Sequence, residues 1–101
     1  MKYSLIIISI LFFYPTHWLA AKSQNEVIIE SASQFQSWCK SLSYRHFRQH
    51  KQQPYNWTAS TIRKLNDYQT SGNWKVDNEE YDIFCHIRIG KKAKQTKIEI
   101  R

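Results

Sequence analysis

Apolar and polar residues alternate through Tyr81-Asp82-Ile83-Phe84-Cys85-His86-Ile87-Arg88-Ile89. Tyr81, Ile83, Cys85, Ile87 and Ile89 share one register, and Asp82, Phe84, His86 and Arg88 the other. Successive side chains of a strand point to opposite faces, so this stretch predicts a strand with one face in a core and Cys85 among its inward residues. The same period appears upstream. Tyr55, Trp57 and Ala59 alternate with Asn56, Thr58 and Ser60, while Tyr68, Thr70, Gly72, Trp74 and Val76 share a register. A turn near Asn66-Asp67 separates those two runs, and the polar Asp77-Asn78-Glu79-Glu80 separates the second from the third. A lysine-rich turn from Gly90 to Gln95 leads to a last strand, in which Ile98 and Ile100 face the core.

The period changes between residues 32 and 50. Phe35, Trp38, Cys39 and Leu42 recur at helical spacing, with His46 roughly on the same stripe, and Ser31 followed three residues later by Gln34 fits a capping box. The spacing predicts a helix over 32–50, ended by Gln52-Gln53-Pro54. Glu26-Val27-Ile28-Ile29-Glu30 is a short β-prone run that predicts a first strand. The apolar faces of helix and sheet must cover each other, which brings Cys39 down onto Cys85. The expected fold is therefore α+β: one N-terminal helix packed on a four- to five-stranded antiparallel sheet, with one disulfide. Strand, helix and four-stranded meander, in that order, resemble the cystatin-like architecture. The resemblance implies the order of elements only; the cystatin inhibitory motif Gln-x-Val-x-Gly is absent, so no inhibitor function or residue is carried over.

The start of the chain follows another logic. Met1-Lys2 precedes an apolar run, Leu5 to Tyr14, that is shorter than the ~20 residues a helix needs to span a bilayer. Pro15 follows, and Leu19-Ala20-Ala21 supplies small residues at a cleavage position. Residues 1–21 read as a signal peptide cleaved after Ala21, with Ala20 as the second choice. Residues 22–101 then form a single small domain, secreted or periplasmic, with no stable transmembrane segment left. Cys39 and Cys85 both lie in it, and in an oxidising compartment two cysteines most simply pair. With 45 residues between them, the bridge contributes about 4 kcal/mol in the chain-entropy model, a large share for so small a core.

Charge narrows the class of partner. The chain has 15 Lys and Arg against 8 Asp and Glu, formally +7. Only Lys2 leaves with residues 1–21, so the domain keeps +6. Such a balance favours an anionic partner, an acidic protein patch or an anionic polymer. The strand registers place Lys75, Phe84, His86, Arg88, Lys97, Glu99 and Arg101 on the solvent face, beside Lys91, Lys92 and Lys94 on the turn. Of these, Phe84, Arg88, Lys91, Lys92, Lys94, Lys97 and Arg101 are the candidate binding residues, basic groups beside an exposed aromatic. A solvated sheet face in which Lys and Arg keep the strand edges soluble explains the same charges.

Candidate chemistry beyond binding is thin. His46 and His50, four apart on the helix, have the spacing of two metal ligands, but Arg45, Arg48 and Lys51 crowd that turn and disfavour a cation. A ribonuclease-like hydrolase, the alternative function, would need His46 or His50 to meet His86 and Lys75; Cys85 inward puts His86 on the far face of the sheet. A Cys39 thiol with His46 as its base would be consumed by oxidation on export. The chain has no Gly-rich phosphate loop, Gly-x-Ser-x-Gly or zinc-finger cysteine spacing, so no catalytic residue, metal or cofactor is expected. Asn56-Trp57-Thr58 matches the N-glycosylation acceptor pattern.

Overall fold

The computed structural model describes residues 26–101. The expected signal segment, residues 1–21, lies outside the described residues. The elements run helix α1 (Ala32–Gln49), then strands β1 (Pro54–Lys64), β2 (Asp67–Val76) and β3 (Glu79–Arg88), a 3-10 turn (Ala93–Gln95) and strand β4 (Lys97–Ile100). The four strands form one antiparallel sheet in chain order, and α1 lies across one face of it. The α+β fold and its disulfide are as the alternation implied.

Helix α1 starts where the capping signal stands. Ser31 is the N-cap and its Oγ accepts the Gln34 N–H at 3.1 Å, while the Gln34 side chain returns to accept the Glu30 N–H at 2.8 Å. Its buried stripe is Phe35, Cys39, Ser43 and Phe47, a 4-4-4 spacing. This corrects the stripe through Leu42 and His46: Leu42 is half-buried and His46 exposed. A helix turns 3.6 residues at a time, so apolar positions beside the true centre line mimic it in a short window. Ser43 is polar at the centre of the core, and it is satisfied: its Oγ donates to the Cys39 carbonyl at 2.8 Å and accepts the Trp74 indole N–H at 2.8 Å.

The strands β2 and β3 follow the predicted registers. Tyr68, Thr70, Trp74 and Val76 are buried on β2, and Ile83, Cys85 and Ile87 on β3. Cys39 and Cys85 are bonded at a Cα–Cα distance of 6.0 Å, joining α1 to the middle of the sheet. Ile98 and Ile100 pair with Cys85 and Ile83 and so share the core face, but Ile98, on the edge strand, stays 40% exposed.

Two further expectations change, and the lysine-rich turn gains a buried centre. On β1 an extra residue between Tyr55 and Thr58 opposes the shorter step Lys75 to Asn73, and Asn56 takes φ 55° there. This bulge turns Tyr55 outward while Trp57 and Ala59 keep the inner side. Trp57 then packs over Gly72, with its ring centroid 4.9 Å from that of Trp74. The predicted first strand is reduced to a single bridge between Ile28 and Lys92. It is held by the Ile29 N–H on the Lys91 carbonyl and the Ala93 N–H on the Val27 carbonyl, with Ile29 buried between them. Finally, the lysine-rich turn is built about a buried Ala93, whose carbonyl accepts the Trp38 indole N–H at 3.1 Å.

Candidate functional site

The outer face of the sheet carries the candidate binding residues, and the strand register gives their neighbours. One row runs Gln69, His86, Lys97; the next runs Ser71, Phe84, Glu99; Asp67 stands opposite Arg88. Acidic residues therefore sit among the cations. Arg88 faces Asp67 at 3.8 Å, Lys75 faces Glu80 at 4.0 Å, and Asp82 accepts from the Asn73 amide at 3.2 Å. Arg101 donates to Glu99 at 2.9 Å, which raises its already high pKa, and its guanidinium lies 5.0 Å from the Phe84 ring centroid. Phe84 is thus partly covered from within the molecule.

The turn lysines divide in two. Lys92 and Lys94 grip the two oxygens of Glu26 at 2.8 and 3.0 Å. The Lys92 hydrogen bond, then that of Lys94, holds the Glu26 carboxyl below its ordinary value. Lys91 and Lys97, by contrast, form no ion pair among the described residues. They converge with His86 and Arg88 on a shallow cavity of about 250 Å³, completed by Asp67, Ile87 and Gln95. Three of the seven lining residues, Arg88, Lys91 and Lys97, are cationic and His86 adds an imidazole, against one carboxylate that Arg88 already faces. An anionic group there would meet the N–H donors of Lys91 and Lys97 without displacing the Arg88–Asp67 pair.

Of the seven candidate binding residues, the structure brings Arg88, Lys91 and Lys97 together. It engages Lys92, Lys94 and Arg101 in ion pairs, and it sets Phe84 under Arg101. His86 and Gln95 join the pocket without having been candidates. Alternation put His86 on this face, but only the β3–β4 pairing sets it beside Lys97.

The histidines separate into two sites. His46 on α1 and His50, its C-cap, are exposed, ring centroids 4.6 Å apart, with Nδ1 of His50 2.8 Å from the His46 carbonyl oxygen. His86 alternates with Cys85 and Ile87, which lie under the helix, so it faces the opposite side of the sheet. Among the described residues no three of His, Cys, Asp and Glu are grouped to hold a metal ion. A second, larger concavity, about 710 Å³, runs beside α1 between Val27, Trp38, Tyr44 and Ala93, rimmed by Lys40 and Arg45. Arg45 lies 5.5 Å from the Trp38 ring centroid.

No family model, curated protein or solved structure matches the chain.

Proposed function

We propose that the protein is a small exported interaction module that holds an anionic partner, an acidic protein patch or an anionic polymer, at the Arg88 end of its outer sheet face. The observation that carries this reading is the convergence of Lys91 and Lys97, unpaired among the described residues, with His86 and Arg88 on one cavity. The Cys39–Cys85 disulfide is compatible with an oxidising compartment, and no helix among the described residues is long and apolar enough to cross a membrane. The separation of His86 from His46 and His50 supports binding rather than hydrolysis by paired histidines.

The test compares Lys91→Gln with Lys97→Gln, as a double variant, against Lys92→Gln with Lys94→Gln. Binding to heparin and to a nucleic-acid polymer is followed by titration over a range of salt. The first variant is expected to weaken binding and to lower the salt slope by roughly 1 to 2, the loss of one or two ionic contacts. The second is expected to do less, because Glu26 already holds both lysines. Equal affinity for parent and first variant at every salt concentration would reduce the cavity to a solvated edge.

A further inference from the structure

Strand β1 forms one edge of the sheet, and it is long for an edge. Its pairing with β2 across the two-residue turn Leu65–Asn66 fixes which backbone groups are used. Lys64 is opposite Asp67, so the N–H and C=O of Thr58, Ser60, Ile62 and Lys64 point toward β2, and those of Ala59, Thr61 and Arg63 point away from the sheet. Among the described residues no backbone hydrogen bond covers these outward groups. Edge strands are ordinarily guarded by charge, proline, a bulge or brevity. On β1 such guards stand only at the ends: Pro54 and the bulge at Asn56 before, Arg63 and Lys64 after. Between them Thr58-Ala59-Ser60-Thr61-Ile62 is uncharged, and Ile62 is 56% exposed on the outer face.

We infer that β1 is a self-association edge, whose occupant is β1 of a second copy of this chain, paired antiparallel about a two-fold axis near Thr61. In that register Thr61 meets Thr61 of the second copy and Ala59 meets Arg63 of the second copy, so every outward N–H and C=O of the three residues finds a partner. Charge selects this orientation. Antiparallel pairing sets Arg63 opposite an alanine and Lys64 opposite a threonine, whereas parallel pairing in register would stack Arg63 on Arg63 and Lys64 on Lys64. Ile62 stands opposite Ser60 of the second copy and diagonal to Ile62 of the second copy, so the two exposed isoleucines cover each other. The product is a continuous eight-stranded sheet with both helices on one side. Because each chain is strongly basic, salt screens the repulsion and strengthens this contact, opposite in sign to binding of an anionic polymer at the Arg88 end.

The experiment is sedimentation equilibrium of the oxidised protein from micromolar to millimolar concentration, at low and high salt, with two variants that act differently. Ile62→Lys sets like charges across the two-fold. Ala59→Pro removes an outward N–H that β2 does not use, so it blocks the edge without breaking the sheet. Circular dichroism establishes that each variant is folded. The expected result is a parent monomer–dimer equilibrium that shifts toward dimer with salt, and monomer at every concentration for both variants. A parent that stays monomeric throughout, or a dimer that either folded variant leaves intact, overturns the inference.

Discussion

The two edges of the sheet are built on different principles. Strand β4 has four residues, with Lys97 and Glu99 facing outward along it and Arg101 just beyond. Its approach is tied down by the Glu26 clamp on Lys92 and Lys94, by the Ile28–Lys92 bridge and by the Trp38 indole on Ala93. Strand β1 has eleven residues and an uncharged middle. It is held by packing and a few neutral contacts: Thr61 donates to the Gln36 side chain of α1 at 2.9 Å, and Trp57 lies on Gly72 and Trp74 of β2. One edge is short, charged and tethered; the other is long, neutral and open. The charged edge adjoins the cavity proposed for an anion, and the open edge is the one proposed for a second copy. Under these two proposals, electrostatic and backbone recognition would stand on opposite edges of one small domain.

The largest expected effect comes from cutting the tether. The disulfide is the covalent link between α1 and β3, and replacing both cysteines, Cys39→Ala with Cys85→Ala, is expected to cost about 2 to 5 kcal/mol. Denaturant unfolding of parent and variant measures it, together with a thiol titration showing none free in the native parent. If the tether matters most on its own side, amides of β3 and β4 lose exchange protection before those of β1. Uniform loss across the sheet would mean that the two edges are one cooperative unit.

The neutral side breaks differently. A Cβ at Gly72 would overlap the Trp57 indole, and the half-buried Trp57 would have to give up its packing on Trp74, 4.9 Å away, to make room. Gly72→Ala is therefore expected to destabilise by about 1 to 3 kcal/mol, the usual cost of overpacking, despite alanine's lower chain entropy in the unfolded state. Thermal melts quantify it. A change in Trp fluorescence at unchanged β3 exchange protection would place the damage on the β1 side.

Local patterns carried most of the fold. The helix with its Ser31 and Gln34 cap, the inward placing of Phe35 and Cys39, and the registers of β2 and β3 all depend on neighbours a few residues apart, and the Cys39–Cys85 pairing followed from two faces that had to meet; the far half of the stripe, Ser43 and Phe47, was misplaced onto Leu42 and His46. What stayed illegible depends on distant partners. The bulge at Asn56 needs β2 to define it, since an extra residue exists only relative to a partner strand. The first strand had no neighbouring strand long enough to make it one, only the loop at Lys92. The candidate site was half legible for the same reason. Its cations were visible, but whether a lysine is spent on an internal carboxylate depends on Glu26, which meets Lys94 across 68 positions of chain.

The smallest expected effect tests the tethered edge with protons alone. Glu26 is exposed, and its carboxyl is held below its ordinary value chiefly by the Lys92 hydrogen bond. A carboxyl with a depressed folded-state value adds its stabilisation above the ordinary carboxylate range, and that contribution disappears as pH falls through the depressed value. Acidification should then release Lys92 and Lys94 and loosen the backbone bonds they flank, Ile29 to Lys91 and Ala93 to Val27. The measurement is amide exchange at Ile29 and Ala93 across the acid range, corrected for the intrinsic rate and referred to the β2-facing amides of Ser60 and Ile62 on the other edge. In the parent, protection at Ile29 and Ala93 should fall with pH while β1 holds. In Glu26→Gln it should start low and show no such step. A step that persists in Glu26→Gln, or one that appears equally on β1, would show that the two edges respond to acid as one body and that the clamp does not set them apart.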